Sequence, residues 1–344
     1  MRVDEMPETQ DVLVPLPKAA IFLVATVRSG AEEQVRDVLA DVADIARATG
    51  FGSSEGELNC VVGIGSALWD RLFCDAPRPR ELHPFRDFVG DVHAAIGTPG
   101  DLLFHVRAAR LDLCFEFARR LGRRLEGYAD VVDEVHGFRY FDRRDLLGFV
   151  DGTENPAGQA ASEAVYLPDT DVYAGGSYAL VQKYVHDLDA WEALTTEEQE
   201  LVIGRRKFTD IELSDEEKPT NSHVAANTIV DDDGTEREIV RANMPFGSVG
   251  DGEFGTYFIA YAATPDVIER MLENMFIGDP PGNYDRILDF STAVTGGLFF
   301  VPPAEFLEEQ TVAAAAEPAT EPDEPSPTQS APDGSLRIGD LGRT

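Results

Sequence analysis

The sequence predicts an α+β fold, with helices packed on antiparallel sheets. Three observations predict it. A strand-like apolar run followed by an amphipathic helical stretch recurs along the 344 residues. Further short apolar runs stand between these units as additional strands. The units group into two halves that meet near residues 145–155.

The first unit is a strand over 21–27 and a helix over 31–48, whose Val35, Val38, Leu39, Val42 and Ile45 recur at helical spacing. A second strand is expected over 59–65. The next unit is a strand over 102–108 and a helix over 112–125, with Leu113, Phe117 and Leu121 inward. Strands follow over 131–141 and 177–185. The last unit is a strand over 256–262 and a helix over 265–276. Pro265 opens that helix, where its missing N–H does no harm, and Ile268, Met271, Leu272 and Met275 form its inner face. A final strand is expected over 294–301. The body thus runs from about residue 15 to 307. Residues 308–333 hold seven acids, five prolines, six alanines and no Lys, Arg or aromatic residue. Such a segment buries too little apolar surface to offset its ordering entropy, and reads as a disordered linker.

Charge and cysteine content exclude several classes. With 29 Lys+Arg against 63 Asp+Glu, the net charge is −34. Phosphate backbones need clustered cations, so nucleic acid is excluded as a partner, and an anionic membrane surface for the same reason. No apolar stretch approaches the ~18 residues of a spanning helix. The first apolar run lacks a basic flank, so no secretory signal is expected and the cytoplasm is the default. Cys60, Cys74 and Cys114 are odd in number and lack CxxC spacing, which argues against a disulfide framework or a cysteine zinc site. No CxxCH run offers covalent haem attachment.

Three segments carry the chemistry: Gly148-Phe149-Val150-Asp151-Gly152-Thr153-Glu154-Asn155-Pro156, Asn221-Ser222-His223-Val224-Ala225-Ala226-Asn227, and Ile239-Val240-Arg241-Ala242-Asn243-Met244-Pro245-Phe246-Gly247. The first, alone, is an Asp-Gly turn with a proline stop. Together and in this order they resemble the dye-decolourising peroxidases, whose GxxDG core is met by residues 148–152. Tyr284-Asp285-Arg286 and Phe290-Ser291-Thr292-Ala293 are similar to the B-type branch of that family. The resemblance spans about 15–305. It implies two ferredoxin-like halves, 1–150 and 151–307, with a haem pocket in the second. It also implies one non-covalent haem b per chain, H2O2 as oxidant, a reducing substrate such as a dye, a phenolic or Mn²⁺, and a homo-oligomer from dimer to hexamer.

The resemblance also assigns roles. His223 is the expected proximal iron ligand, because a neutral imidazole suits one axial position. Asp285 is the expected carboxylate behind it, with Asp289 as the alternative. Asp151 is the expected proton shuttle and Arg241 the stabiliser of the charge that develops as peroxide splits. A carboxylate in place of an imidazole in the shuttle role predicts activity extending to acidic pH. Asn243, two residues beyond Arg241, is expected to face the same side and to hydrogen-bond a distal water or peroxide. Arg205 is expected on a haem propionate, Gly152, Thr153 and Glu154 along the cofactor, and Phe258 and Phe276 as porphyrin walls. Glu154, Glu212 and Glu236 offer oxygen ligands to Mn²⁺ or a solvated acidic cluster. Trp69 and Trp191 are candidate relays to large dyes.

The last residues, Gly334-Ser335-Leu336-Arg337-Ile338-Gly339-Asp340-Leu341, resemble the cargo-loading peptide of proteins packed in encapsulin shells. Residues 334–344 are therefore expected to dock the shell protein, with Leu336, Ile338 and Leu341 as apolar anchors. Three rival readings stand beside the peroxidase: a haem-handling protein with little turnover, a protein whose packaging matters more than its catalysis, and a chlorite-decomposing relative.

Overall fold

A computed structural model describes residues 8–53, 57–152 and 154–314. Ten strands form one antiparallel sheet. They are β1 (Ala19–Val27), β2 (Asn59–Gly65), β3 (Leu102–Ala108), β4 (Ala129–Phe138), β5 (Ser177–His186), β6 (Val240–Arg241), β7 (Met244–Ser248), β8 (Glu253–Ala262), β9 (Ser291–Ala293) and β10 (Gly297–Val301). The path is β6-β8-β5-β10-β2-β3-β1-β4, with β7 also on β8 and β9 on β5.

The path contains the same motif twice. Numbered within each half, the strands run 2-3-1-4, as β2-β3-β1-β4 and as β6-β8-β5-β10. That is the ferredoxin-like order, and the two halves join where Phe299 and Phe300 of β10 pair with Gly65 and Ile64 of β2. The far edges also meet: a Cβ on Gly137 of β4 would lie 2.5 Å from Met244 Cβ on β7, so only glycine admits this approach. The inner face thus becomes a second core, with Phe22, Val24, Val135, Val181, Tyr257, Ile259 and Phe299. The outer face carries the helices α1 (Glu32–Ala40), α2 (Val42–Gly50), α3 (Leu111–Leu125), α4 (His223–Asn227) and α5 (Pro265–Phe276). Alternation along each strand divides residues between the two cores.

The expected helix over 31–48 is two helices joined at Asp41. Asp41 ion-pairs with Arg124 of α3, which anchors the joint to its neighbour. The expected strand over 294–301 is formed only over 297–301, as β10; residues 294–296 link it to the short β9 before it. The chain remains helical to Ala314, so the first residues of the expected linker extend a helix that begins at Ala304. The rest of that linker and the tail at 334–344 lie outside the described residues. Among the described residues, no helix is long and apolar enough to cross a membrane.

Candidate active site

The loop that ends the first half is wound tightly on itself. Asp145 N–H donates to Phe149 O, and Phe149 N–H donates back to Asp145 Oδ1, both at 2.9 Å. Arg144 Nη1 reaches Gly148 O at 2.8 Å and Lys207 O at 2.7 Å. Asp151 N–H donates to Arg143 O at 2.9 Å, which fixes the backbone of the expected shuttle. Gly148 and Gly152 have φ of +91° and +80°. Those values are strained for any side chain, which is the local reason for the two glycines of the GxxDG pattern. Trp191 closes the loop from behind, its Nε1–H donating to Leu147 O at 2.9 Å.

Asp151, Gly152, Arg241 and Asn243 line one cleft, with Leu16 and Pro17 on its rim. Asn243 lies between β6 and β7 rather than on the strand of Arg241. Its amide makes two bonds to protein and keeps one Nδ2–H for the expected distal water or peroxide. Oδ1 accepts from Ile259 N–H at 3.1 Å, which leaves Nδ2 to donate to Asp151 Oδ2 at 3.0 Å. Asn243 therefore aims the Asp151 carboxylate. The Arg241 side chain has no ion pair or hydrogen bond among the described residues. Its backbone is held at both ends by Asn155: Oδ1 accepts from Arg241 N–H at 2.9 Å, and Nδ2 donates to Arg241 O at 2.7 Å. This clamp on the strand that presents the guanidinium went unseen in the sequence; the Asn-Pro ending of the first motif was its one trace.

Replacing Asn155 by alanine removes both bonds, each worth about 1 kcal/mol. Misplacing a catalytic group by a fraction of its reach costs up to about 10²-fold in rate. The expected result is a reaction with H2O2 about tenfold slower or worse at unchanged haem content. Rapid-mixing spectroscopy beside a haem-to-protein ratio checks it.

His223 opens α4, behind a Ser222 cap whose Oγ accepts from Ala225 N–H. Its Nδ1 lies 2.7 Å from Asp285 Oδ2. Asp285 is fully buried; its Oδ1 accepts from Ile287 N–H at 3.0 Å, and Asn227 Nδ2 lies 3.4 Å from Oδ2. This partner set fixes the proton on Nδ1 and leaves the Nε2 lone pair free. Asp289, the alternative, is engaged by Tyr284 and His93 instead. The other histidines are placed otherwise. His105 and His186 are buried, and burial pushes His186 down to about 4. His83, His93 and His136 face Glu269, Asp289 and Glu134, none of which is buried as completely as Asp285. Only His223 backs onto a fully buried acid, and one imidazole with one free nitrogen is what a five-coordinate haem iron takes. The residues therefore fit a haem.

Asp145 lies near enough to both sides to feel the charges of Asp151 and His223. Burial pushes its carboxyl up to about 7. The folded state thus binds a proton there that the unfolded chain has released above about pH 4. Stability is lost as pH rises from about 4 to 7, by about 4 kcal/mol for a shift of about three units. Asp145→Asn keeps an oxygen for Phe149 N–H and carries no charge. Its thermal midpoint is expected above wild type at pH 8, with the gap closing as pH falls towards 4, as scanning calorimetry at several pH values would show.

Other expected positions are placed as follows. Arg205 is ringed by acids: it ion-pairs with Glu154, donates to Asp210 O at 2.9 Å and lies 3.5 Å from Glu212 Oε2. A propionate there has to share it. Glu236 sits apart, on a two-stranded ribbon of residues 229–230 and 236–237. Among the described residues no three His, Cys, Asp or Glu stand close enough to hold a metal ion, so the Mn²⁺ cluster of Glu154, Glu212 and Glu236 is not formed. Phe258 is half-buried on β8 and has a face to offer. Phe276 is 2% exposed at the end of α5 and packs into the helix core, so it offers no free wall. Trp69 and Trp191 are fully buried, which removes both as surface relays. Thr153 lies outside the described residues.

Known proteins resemble this chain over most of its length. A family model described as Dyp-type peroxidase, N-terminal, matches residues 9–139, and one described as Dyp-type peroxidase, C-terminal, matches 142–306. A protein named Dye-decolorizing peroxidase from Brevibacterium linens is 57% identical over 97% of this chain and 96% of its own. The structure of the encapsulated DyP-type peroxidase from Mycobacterium smegmatis superposes with a TM-score of 0.86 at 58% identity, over 88% of this chain and 98% of that one. A DypB variant from Rhodococcus jostii RHA1 in complex with heme gives 0.86 at 53%, over 89% and 100%.

Proposed function

The chain belongs to the Dyp-type peroxidase family, and from that premise we propose the division of labour by which it works as a haem peroxidase. The observation that carries the proposal is the single cleft in which an unpaired Arg241 guanidinium and an Asn243-aimed Asp151 carboxylate stand together. Haem b, when bound, would supply the redox chemistry of peroxide reduction. His223 Nε2 would hold the haem iron, and Asp285 holds His223 in the required tautomer and raises its basicity. Asp151 takes a proton from the nearer oxygen of H2O2 and returns it to the departing one. Arg241 stabilises the negative charge on the departing oxygen. Asn243 and Asn155 are positioning residues, one for Asp151 and one for Arg241. The domain division at 150/151 and the homo-oligomer belong to the same reading.

The haem-loaded protein is expected to decolourise an anthraquinone dye catalytically with H2O2. Loss of haem colour with no loss of dye would instead favour a haem-handling protein.

The tail extends the proposal to a partner. Residues 334–344 dock an encapsulin shell protein, and the linker supplies reach. Two things support this: the Gly-Ser-Leu-x-Ile-Gly-x-Leu pattern, and the 58% identity to the encapsulated DyP-type peroxidase from Mycobacterium smegmatis. On co-expression with a shell protein, full-length chain is expected inside purified shells. A chain ending at residue 333 is expected outside them, with unchanged peroxidase activity.

A further inference from the structure

The cleft that holds Asp151, Arg241 and Asn243 opens between arginines. Arg139, Arg143 and Arg144 line it beside Arg241, and among the described residues Asp151 is the one carboxylate on its wall. None of the four arginines is ion-paired among the described residues, in a chain whose net charge is −34. Arg139 Nη2 donates to Leu16 O and, at 3.1 Å, to Pro17 O. Arg144 is likewise held by the carbonyls of Gly148 and Lys207. Carbonyls orient these side chains and leave their charge uncompensated. The side chains of Arg143 and Arg241 bond to nothing among the described residues. H2O2 is neutral and has use for one such cation at the oxygen that departs. The other three make the mouth an electropositive funnel, which gathers anions.

The loop that carries the three is strained. Phe141 and Arg143 have φ of +36° and +64°, in the left-handed region that bulky side chains rarely occupy. Strain of this kind persists where function holds it. The loop presents a Phe141 ring that is 74% exposed. That ring lies against Tyr140, with centroids 4.3 Å apart, and Tyr140 lines the cleft. An accessible aromatic pair thus borders the arginines. The cleft itself has about 30 Å³, room for about two water-sized groups and far below the ~150 Å³ that holds a benzene. An arene therefore stays outside, on the two rings, and only a small head group enters.

These features select a planar anion carried on an aromatic ring. A guanidinium matches a carboxylate fork to fork, and Tyr140 and Phe141 offer ring contacts. A polyanion instead meets the −34 of the whole chain. We propose that the mouth of this cleft binds a small aromatic carboxylate, its carboxylate on Arg143 and Arg241 and its ring on Tyr140 and Phe141. Bound there, it stands across the path to Asp151 and competes with H2O2. That competition rests on the peroxidase reading; the binding does not.

The test uses haem-loaded full-length protein and benzoate, first without peroxide, so that the haem carboxylates have already taken the cations they need. Calorimetry is expected to show one benzoate per chain, bound about tenfold more weakly by Arg143→Gln and about fivefold more weakly by Phe141→Gly. Benzamide has the shape without the charge, and acetate the charge without the ring. Each is expected to bind about tenfold more weakly than benzoate, or worse. Glycine suits the backbone at 141, so Phe141→Gly is expected to keep the wild-type thermal midpoint. Unchanged affinity in Arg143→Gln overturns the proposal, and so does benzamide bound as tightly as benzoate. A Phe141→Gly protein that loses binding and thermal stability together overturns it as well, because the ring then only holds the loop. With H2O2 added, benzoate is expected to raise the peroxide concentration needed for half-maximal rate and to leave the maximal rate unchanged. Benzoate bound to a protein that peroxide merely bleaches counts against the peroxidase reading alone, so the two can fail independently.

Discussion

Replacing Arg241 by leucine is expected to slow the reaction with H2O2 by about 10²–10³-fold while haem stays bound. Loss of one preorganised donor at a developing oxyanion costs about 2.7–4 kcal/mol in other enzymes, and here the donor is a full charge. The guanidinium has no competing partner among the described residues, and its backbone is already fixed by Asn155, so little reorganisation precedes its use. Leucine leaves those backbone bonds intact, which separates charge from position. The rate constant from rapid mixing with peroxide, beside a normal haem-to-protein ratio, checks the prediction. A rate within threefold of wild type would mean that peroxide cleavage here does not depend on the Arg241 charge, and would leave proton transfer by Asp151 to carry the step.

Asp285→Asn is expected to weaken haem retention by about 10- to 100-fold and to change the spectrum of what remains. Groups that hold a metal-bound histidine typically carry effects of that size. The Asp285 carboxylate is fully buried and lies 2.7 Å from His223 Nδ1. Asparagine can preserve the contact but loses the charge that makes the imidazole a stronger base. Ile287 N–H, which donates to Oδ1, competes for the single amide oxygen; where it wins, the amide N–H faces Nδ1 and reverses the tautomer. His223→Ala removes the ligand itself and is expected to yield protein largely free of haem. Haem transfer to an excess of an apo-globin measures retention in each variant. Equal retention in wild type and Asp285→Asn would mean that the carboxylate only packs the loop.

The long periodic elements were legible because their patterning is local. Residues 265–276 form a helix with the expected bounds, and 59–65 and 102–108 form strands with theirs. The break at Asp41 was not, since helical spacing runs through it unbroken and the anchor, Arg124, lies 83 residues away. The strands Val240–Arg241 and Met244–Ser248 are too short to show a period, and they are recognised by pairing with β8.

In the site, residue types were legible and commitments were not. Asp151, Arg241 and His223 stand out as a family-like set. The direction of the Asn243 amide depends on Ile259 N–H, and the clamp of Asn155 on Arg241 spans 86 residues. Neither leaves a local pattern. Phe258 and Phe276 look alike in sequence and differ only in what the tertiary fold puts over them.

The most direct test of the central claim is a rapid-mixing absorption record of the haem-loaded protein with one equivalent of H2O2 and no reductant. The account predicts a fast, stoichiometric shift of the Soret band to a new species that an added phenol returns to the starting spectrum. Slow, irreversible bleaching of the band, with no recoverable species, would contradict it.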